Sequence, residues 1–488
     1  MRKKIFISVI PIICIALLYG GRHVFLNHFY DDSYITYRFV QNFVANKGLV
    51  FNQGEYANSA SAFTYTMLLA FFYDIGITNI ELTSIVVSLL SVSGIAILLY
   101  FSIKKLTNSN LLAYFFSLMI PLHGLISGWA LSGMETLFFS FLVLAFIYQY
   151  LFQKKNDAFL LITTLVLILL IRTEGIILLG VWGLSELYSV FIERKKSILQ
   201  LVSKSLVYFV ILASFYYFQA MYYGSLTTNA FEFKQIATYY QPNPFYIMLV
   251  WGGTSLILSL LAAYSLLIKR NAKTLFIGVY VAISFLALFI GPYSDGARYS
   301  VHLLPLVSIL ASVGFKRFID SNNLKFIFIT LLLITAQTIF STFFVRHYVL
   351  AHRKGQECRR EIGKYLSINL SENDYVLAGD IGMISYSAPN VKFIDLGGLT
   401  SSDVLTQYQN KQTIDKIILK KRPKLLADTF YNNDNRLSHP ILENEVEFIR
   451  GMHTYTELPF KDTFDDIEFK CDDGSRTYAV VNLKDIYN

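Results

Sequence analysis

Apolar residues run along this chain in long blocks, broken by short charged or polar clusters. The blocks lie at 5–21, 82–102, 109–127, 133–153, 157–172, 174–191, 205–223, 245–268, 274–291, 298–315 and 325–345. A membrane-spanning helix needs about 20 mostly apolar residues, so these eleven blocks predict transmembrane helices. A further apolar stretch, 62–77, is short and runs into Thr78, Asn79 and Glu81.

Positive clusters decide how that stretch is treated. They are Arg2-Lys3-Lys4, Lys104-Lys105, Lys154-Lys155, Arg194-Lys195-Lys196, Lys269-Arg270 with Lys273, and Lys316-Arg317. Cytoplasmic loops carry the excess of Lys and Arg. All the clusters share one side only if an even number of crossings separates each pair. Two blocks lie between successive clusters from Lys104 onward, but three apolar stretches lie between Lys4 and Lys104. Residues 62–77 are therefore expected to rest on the outer interface without crossing. The expected topology has eleven spans, a cytoplasmic N-terminus and an outer C-terminal domain. The run Ile5–Tyr19 after the basic N-terminus resembles a signal peptide. No small-residue cleavage site follows it, so it reads as an uncleaved first span.

Composition divides the chain in the same place. Only 16% of the 488 residues are charged and mean hydropathy is +0.46, whereas soluble domains carry about 25% charged residues. Residues 346–488 hold 40 of the 76 charges, with 19 Lys+Arg against 21 Asp+Glu. The expectation is a mostly α polytopic membrane domain over 1–345, followed by a water-soluble α/β domain over 346–488. The first 345 residues hold 23 Lys+Arg against 13 Asp+Glu, so the basic excess belongs to interhelical loops. No basic stripe interleaved with aromatics marks a nucleic-acid partner. Cys14, Cys358 and Cys471 are too few for a disulfide scaffold. Cys358 and Cys471 would pair only on an oxidising side. No Cys/His cluster has zinc spacing, and neither a phosphate-binding loop nor a dinucleotide fingerprint occurs. Gly252-Gly253 reads as helix packing.

Candidate chemistry collects in the segments expected outside. Asp31 and Asp32 open a stretch in which Ile35, Phe39 and Phe43 recur at helical spacing, with Arg38, Gln41, Asn42 and Lys47 between them. This predicts an amphipathic helix on the outer leaflet, with Asp32 or Ser33 as its N-cap. Capping accounts for one acid only. The second is a candidate general base for an alcohol, or the two together would hold a divalent cation such as Mg, Mn or Ca through oxygen ligands.

Charges within or at the ends of spans are functional candidates. Glu135 opens a span, or simply suits a helix start. Arg172 and Glu174 interrupt an apolar run, either as a mutual ion pair or with Arg172 facing a phosphate. Arg298, with His302 one turn on, is a snorkelling flank or a second phosphate contact. Asp380 and Asp395 each follow a strand-like run, Tyr375–Ala378 and Val391–Ile394. They are ligand contacts of an α/β domain or turn residues.

These motifs carry a resemblance. Asp31-Asp32-Ser-Tyr-Ile-Thr-Tyr-Arg38-Phe, then Asn46-Lys-Gly48-Leu-Val-Phe-Asn52-Gln-Gly54-Glu55, resembles the first outer loop of GT-C-type glycosyltransferases. It is most similar to the bacterial terminal arabinofuranosyltransferase-like membrane proteins. Ser132-Gly133-Met134-Glu135-Thr136, Arg172-Thr-Glu174-Gly175, Gly296-Ala-Arg298-Tyr, Gly379-Asp380-Ile-Gly382 and Asp395-Leu-Gly-Gly-Leu399 follow in that group's order. Thr173 departs from it, standing where the group carries proline in Arg-Pro-Glu-Gly.

The resemblance implies a GT-C-like transferase of the bacterial inner membrane, with 31–61 as outer catalytic loop. A polyprenyl-phosphate-linked sugar would be donor and a cell-envelope glycan or glycoconjugate the acceptor. It implies inversion, with Asp31 or Asp32 as base and Arg172 and Arg298 on the donor phosphate. Arg38, Glu55, Glu135, Glu174, His302, Asp380 and Asp395 would support or bind substrate. The alternatives are a transporter or flippase of a lipid-linked or anionic solute, whose acids belong near the bilayer midplane, and a receptor with an outer sensor domain.

Overall fold

The computed structural model describes residues 30–488, apart from 154–156, 196, 239–242, 269–270, 292–295, 354, 434–435, 440, 443–446, 448, 453, 461–465, 473–476 and 488. The first expected span (5–21), the Arg2-Lys3-Lys4 cluster, Lys154-Lys155, Lys196, Lys269-Arg270, Asp295 and Cys14 lie outside the described residues. The chain separates into two units. One contains Glu81–Phe215 and Pro242–Leu350; the other contains Phe29–Ile80, Tyr216–Gln241 and Ala351–Asn488.

The first unit is helical. Among the described residues, six helices are long and apolar enough to cross a membrane: Ile80–Thr107, Ile198–Tyr223, Pro244–Ile268, Ala272–Ile290, the Arg298–Asp320 run and Leu324–Arg346. Asn110–Leu122 and Gly124–Ala130 make a further span only as a pair bent by 52°. The bend falls at His123, whose Nδ1 accepts from Leu125 N while Nε2 meets the carbonyl of Thr254 at 3.0 Å. Thr136–Phe152, Ala158–Leu169 and Gly175–Phe191 are shorter apolar helices. The block expected at 298–315 is a short helix (Gly296–Ser300), a 3-10 turn (Val301–Leu303) and a helix that runs on to Asp320.

Much apolar side-chain surface of this unit stays uncovered. Leu199 and Phe209 of the Ile198–Tyr223 helix are both about 70% exposed. Such surface demands lipid. Where helices do pack, small residues admit close approach. A Cβ on Gly314 would sit 2.3 Å from the carbonyl oxygen of Leu261.

The second unit is built on a mixed sheet. Its strands are β1 (Tyr375–Ala378), β2 (Lys392–Asp395), β3 (Leu425–Asn433), β4 (Arg436–Ser438), β5 (Ile467–Asp472) and β6 (Thr477–Asn482), in the order β2-β1-β3-β6-β5 with β4 on β3. β1 runs parallel to both β2 and β3, whereas β6 is antiparallel to β3 and β5. Side chains alternate across the sheet with period two. Val376, Ala378, Phe393, Leu425, Ala427 and Val480 enter one core. Leu377, Ile394, Leu426, Phe430, Ala479 and Val481 enter the other. The 229–236, 402–409 and 415–421 helices cover the second face through Phe233, Val404, Leu405, Tyr408, Ile417 and Ile418.

The first face is covered by the Gln356–Asn369 and Ile381–Ser387 helices together with the early segment, which contributes Phe39, Leu49, Phe51 and Ala60. The early segment is therefore part of the second unit and not a free loop. Its Asp31–Val44 helix begins at Asp31, with Tyr30 in the cap position and no side-chain cap bond. The expected capping by Asp32 or Ser33 does not occur. The expected amphipathic orientation is also corrected. Arg38 and Asn42, placed on the polar face by the spacing, are buried, and Phe43 is 43% exposed. The burial is possible because both polar groups are satisfied by main-chain oxygens. Asn42 donates to the carbonyls of Val50 and Phe51 at 2.9 Å. Arg38 donates to Phe51, Ser385, Ala388 and Val391. The apolar stretch near 62–77 is a helix of 12 residues, Phe63–Asp74, about 18 Å long at 1.5 Å per residue.

Two further contacts fix this unit. Asn52 pairs with both main-chain groups of Phe393 on edge strand β2, at 2.7 and 3.0 Å, which covers an otherwise open sheet edge. Cys358 and Cys471 are joined in a disulfide that ties the Gln356–Asn369 helix to β5, with Cα atoms 5.5 Å apart.

Two measurements follow. Arg38→Met is expected to cost roughly 3 kcal/mol or more, since it strands several buried carbonyls. Arg38→Lys, which keeps charge but not the planar fork, is expected to cost less. Thermal unfolding in detergent reads both, and equal melting of Arg38→Met and parent would show that the Arg38 bonds do not hold the fold. The disulfide closes a loop spanning 113 residues, for which chain entropy predicts about 4–5 kcal/mol. Reduction should lower the melting temperature, and a Cys358→Ser variant should melt at the same temperature with and without reductant.

Candidate functional site

In the second unit carboxylates collect at the carboxyl end of β1 and just past its pairing with β3. β1 lies between β2 and β3, both parallel to it, so the chain leaves β1 toward one neighbour and later returns on the other side. Open α/β sheets place ligands at such a switch point. Gly379 and Asp380 follow β1, and Asp428 and Thr429 lie within β3.

The side chains there form a connected set. Asp380 Oδ2 accepts from Arg359 Nη2 at 2.7 Å, Arg359 Nε at 3.2 Å and Thr429 Oγ1 at 2.7 Å. Asp428 accepts from Gly379 N at 2.6 Å and Thr429 N at 2.7 Å. Its Oδ2 also lies 3.0 Å from His439 Nε2. His439 Nδ1 accepts from Leu442 N, so Nε2 carries the proton that goes to Asp428.

Asp31 joins from the early helix. Its two carboxylate oxygens accept the backbone N–H groups of Gly382 (2.9 Å) and Met383 (3.0 Å), at the start of the Ile381–Ser387 helix. An acid there is favoured by the positive end of the helix. The approach is so close that a Cβ on Gly382 would stand 2.1 Å from the Asp31 carbonyl oxygen. Burial pushes the Asp31 carboxyl up from the ordinary 3.8 to about 6; Arg359 opposes this, and Asp380 and Asp32 add to it. Asp31 and Asp32 are both partly buried. Each Asp31 oxygen accepts one N–H and keeps a second lone pair. Among the described residues, no group of three or more His, Cys, Asp or Glu is arranged to hold a metal.

Other expected residues are placed within the fold of the same unit. Arg38 lies over the rings of Phe51 (4.7 Å) and Phe393 (5.0 Å), and its burial lowers its pKa to about 9. Glu55 accepts from Tyr375 Oη at 2.6 Å and Asn52 at 3.0 Å and pairs with Lys421 at 3.1 Å. Burial raises its carboxyl, but those donors and Lys421 hold it below the ordinary range. Asp395 is fully buried and accepts from Gly397 N, Thr400 N and Thr400 Oγ1. It organises the turn after β2, and burial raises it to about 6 against those bonds.

Within the first unit, Glu135, Arg172, Glu174 and Arg298 form a quartet. Arg172 pairs with Glu174 at 2.7 Å and Glu135 at 3.2 Å, and Arg298 pairs with Glu135 at 3.1 Å. Arg172 also lies 4.4 Å over the Tyr299 ring. Two cations and two anions balance, as buried charges must. His302 is buried, edge-on to Phe139 at 5.2 Å.

Arg359, Asp428, Thr429 and His439 were not singled out in the sequence. Asp428 had a signal, because it ends the run Leu425-Leu426-Ala427 much as Asp380 and Asp395 end theirs. Arg359, in Cys358-Arg-Arg-Glu361, had none.

Three solved structures are similar over most of the chain. The crystal structure of ArnT from Cupriavidus metallidurans bound to undecaprenyl phosphate gives a TM-score of 0.59 at 10% identity, over 99% of each chain. Its apo state gives 0.56 at 10% identity, over 100% of each. The Archaeoglobus fulgidus oligosaccharyltransferase in complex with zinc and sulfate gives 0.52 at 11% identity, over 87% of this chain and 67% of that one. These likenesses are of fold, and the chain has a GT-C-type fold. Residues 346–480 match a family described as a domain of unknown function (DUF8728). No curated protein matches by sequence.

The raised carboxyls set a stability limb. An acid whose folded pKa exceeds its unfolded value stabilises the fold below the unfolded value, and that contribution is lost as pH rises through the folded one. Asp31 and Asp395 should therefore lower the melting temperature progressively between pH 3.8 and about 6. The fall should be smaller in Asp31→Asn and in Asp395→Asn than in the parent. Unchanged slopes in both would overturn the burial argument.

Proposed function

We propose that the chain is an inverting glycosyltransferase. It would move a sugar from a polyprenyl-phosphate donor to a hydroxyl of a cell-envelope glycan or glycoconjugate. The GT-C-type fold supports this reading, as does the undecaprenyl phosphate in the similar ArnT structure. The exposed apolar helices supply the lipid setting such a donor needs. The Cys358–Cys471 disulfide supports an oxidising location for the second unit. It accords with a multi-pass protein of the bacterial inner membrane whose C-terminal domain is extracytoplasmic.

One observation supports a division of roles. Both oxygens of Asp31 already accept backbone N–H groups, which suits an anchor, and we assign the base to Asp32. In the proposed reaction the acceptor hydroxyl gives its proton to Asp32. Its oxygen forms the new bond to the anomeric carbon. The bond from that carbon to the phosphate oxygen breaks, and polyprenyl phosphate leaves with the electron pair. Within the first unit, Arg172 and Arg298 are cations whose guanidinium forks suit a phosphate. Arg172 pairs with Glu135, which also pairs with Arg298.

The test is release of polyprenyl phosphate from a panel of radiolabelled polyprenyl-phosphate sugars by purified protein in liposomes, with and without chelator. Asp32→Asn should lower turnover by at least about 100-fold, the usual contribution of a general base, without lowering the melting temperature. Asp31→Asn should lower the melting temperature. Full turnover in Asp32→Asn would refute the base assignment. Uptake of a solute, with no transfer from any donor, would favour a transporter.

A further inference from the structure

We propose that Arg359 is a positioning residue for the catalytic acid pair, acting through Asp380 and the first turn of the Ile381–Ser387 helix. The proposal rests on the glycosyltransferase reading and extends it to a residue from which no substrate contact is required.

The path is continuous. Arg359 is 6% exposed and grips Asp380 through Nε and Nη2. Its guanidinium lies 5.2 Å from the Tyr478 ring centroid, and its helix is fastened at Cys358 by the disulfide. Asp380 stands at the residue preceding the short helix, and the same Oδ2 also accepts from Thr429. Asp428 fixes Gly379 one residue earlier. With positions 379 and 380 held, the N–H groups of Gly382 and Met383 are aimed at Asp31, and Asp31 fixes the turn that carries Asp32.

Electrostatics follows from the same geometry. The charged groups acting on Asp31 are Arg359 from the Gln356–Asn369 helix, Asp380 from the turn after β1, and Asp32 from its own helix. Arg360, next to Arg359, reaches the hydroxyl of Tyr34 at 3.5 Å. Arg359 favours the Asp31 anion and Asp380 opposes it. A buried ion pair that served stability alone would weaken the fold when either partner was removed. A pair that also sets the charge state of Asp31 must shift its titration in opposite directions.

The experiment compares Arg359→Met, Arg359→Lys and Asp380→Asn with the parent in two readouts. The first is the pH dependence of polyprenyl phosphate release from polyprenyl-phosphate sugars. The second is the pH dependence of thermal unfolding, which needs no donor. Removing the cation should raise the acid-limb midpoint by roughly one pH unit or more, the usual effect of a close opposite charge. Removing the anion should lower it, and Arg359→Lys should stay near the parent. Opposite shifts in both readouts support the proposal. Shifts of the same sign, or none, in the unfolding profile overturn it. Opposite unfolding shifts in a protein that turns over no donor would keep Arg359 as the partner of Asp31 and discard the glycosyltransferase reading.

Discussion

The second unit depends on a seven-residue helix held at both ends by one other helix. Asp31 accepts the first free N–H groups of Ile381–Ser387, and Arg38, two turns further along its own helix, donates to carbonyls at the other end, those of Ser385 and Ala388. A helix this short is marginal alone. Its terminal groups would be buried without partners, each at a cost of about 1–3 kcal/mol. The Asp31–Val44 helix supplies an anion at the positive end and a cation at the negative end, the arrangement that peptide dipoles favour. Tyr34, Tyr37 and Tyr386 fill the space between, with ring centroids 5.2 to 5.8 Å apart. The two helices thus run side by side in the same direction. Any shift of one moves the polar ends of the other.

The first unit solves a different problem by a related principle. Its helices break where polar groups must be satisfied in an apolar setting. At His123 the imidazole serves the broken backbone. Between Ala158–Leu169 and Gly175–Phe191, Arg172 and Glu174 pair across the break. The quartet with Glu135 and Arg298 brings charges 163 residues apart in sequence to within 3.1 Å. Removing any one member would leave an uncompensated buried charge, which is far more costly than the pair is stabilising.

The hydrophobic pattern made the membrane helices legible, because lipid requires long apolar runs and little else. Helix ends were less so. The 298–315 block continues past Lys316 and Arg317 to Asp320, since charges at a helix end need not stop the helix. Strands β1 and β2 were visible as apolar runs ending in an acid. The early helix misled because its spacing was read as if one face met lipid. Arg38 and Asn42 instead point into protein, where carbonyls 8 to 353 residues away in sequence satisfy them. Nothing local announces such partners. Asp31 and Asp32 were legible as a pair but not as individuals, because their difference lies in Gly382 and Met383.

That difference explains why the acids are adjacent. Successive residues on a helix leave it about 100° apart, so two neighbours cannot make the same contact. One carboxylate can bond to the inner helix while the other is presented elsewhere, and the geometry of the first fixes that of the second. A general base must be held accurately without having its lone pairs consumed. An acid whose two oxygens both meet backbone N–H groups is well placed, and its neighbour in the chain inherits that placement. In the proposed reaction the chain divides these demands between Asp31 and Asp32. In that reading the anchoring acid sits beside Arg359 and Asp380, so ion pairing around the anchor sets how accurately its neighbour is held.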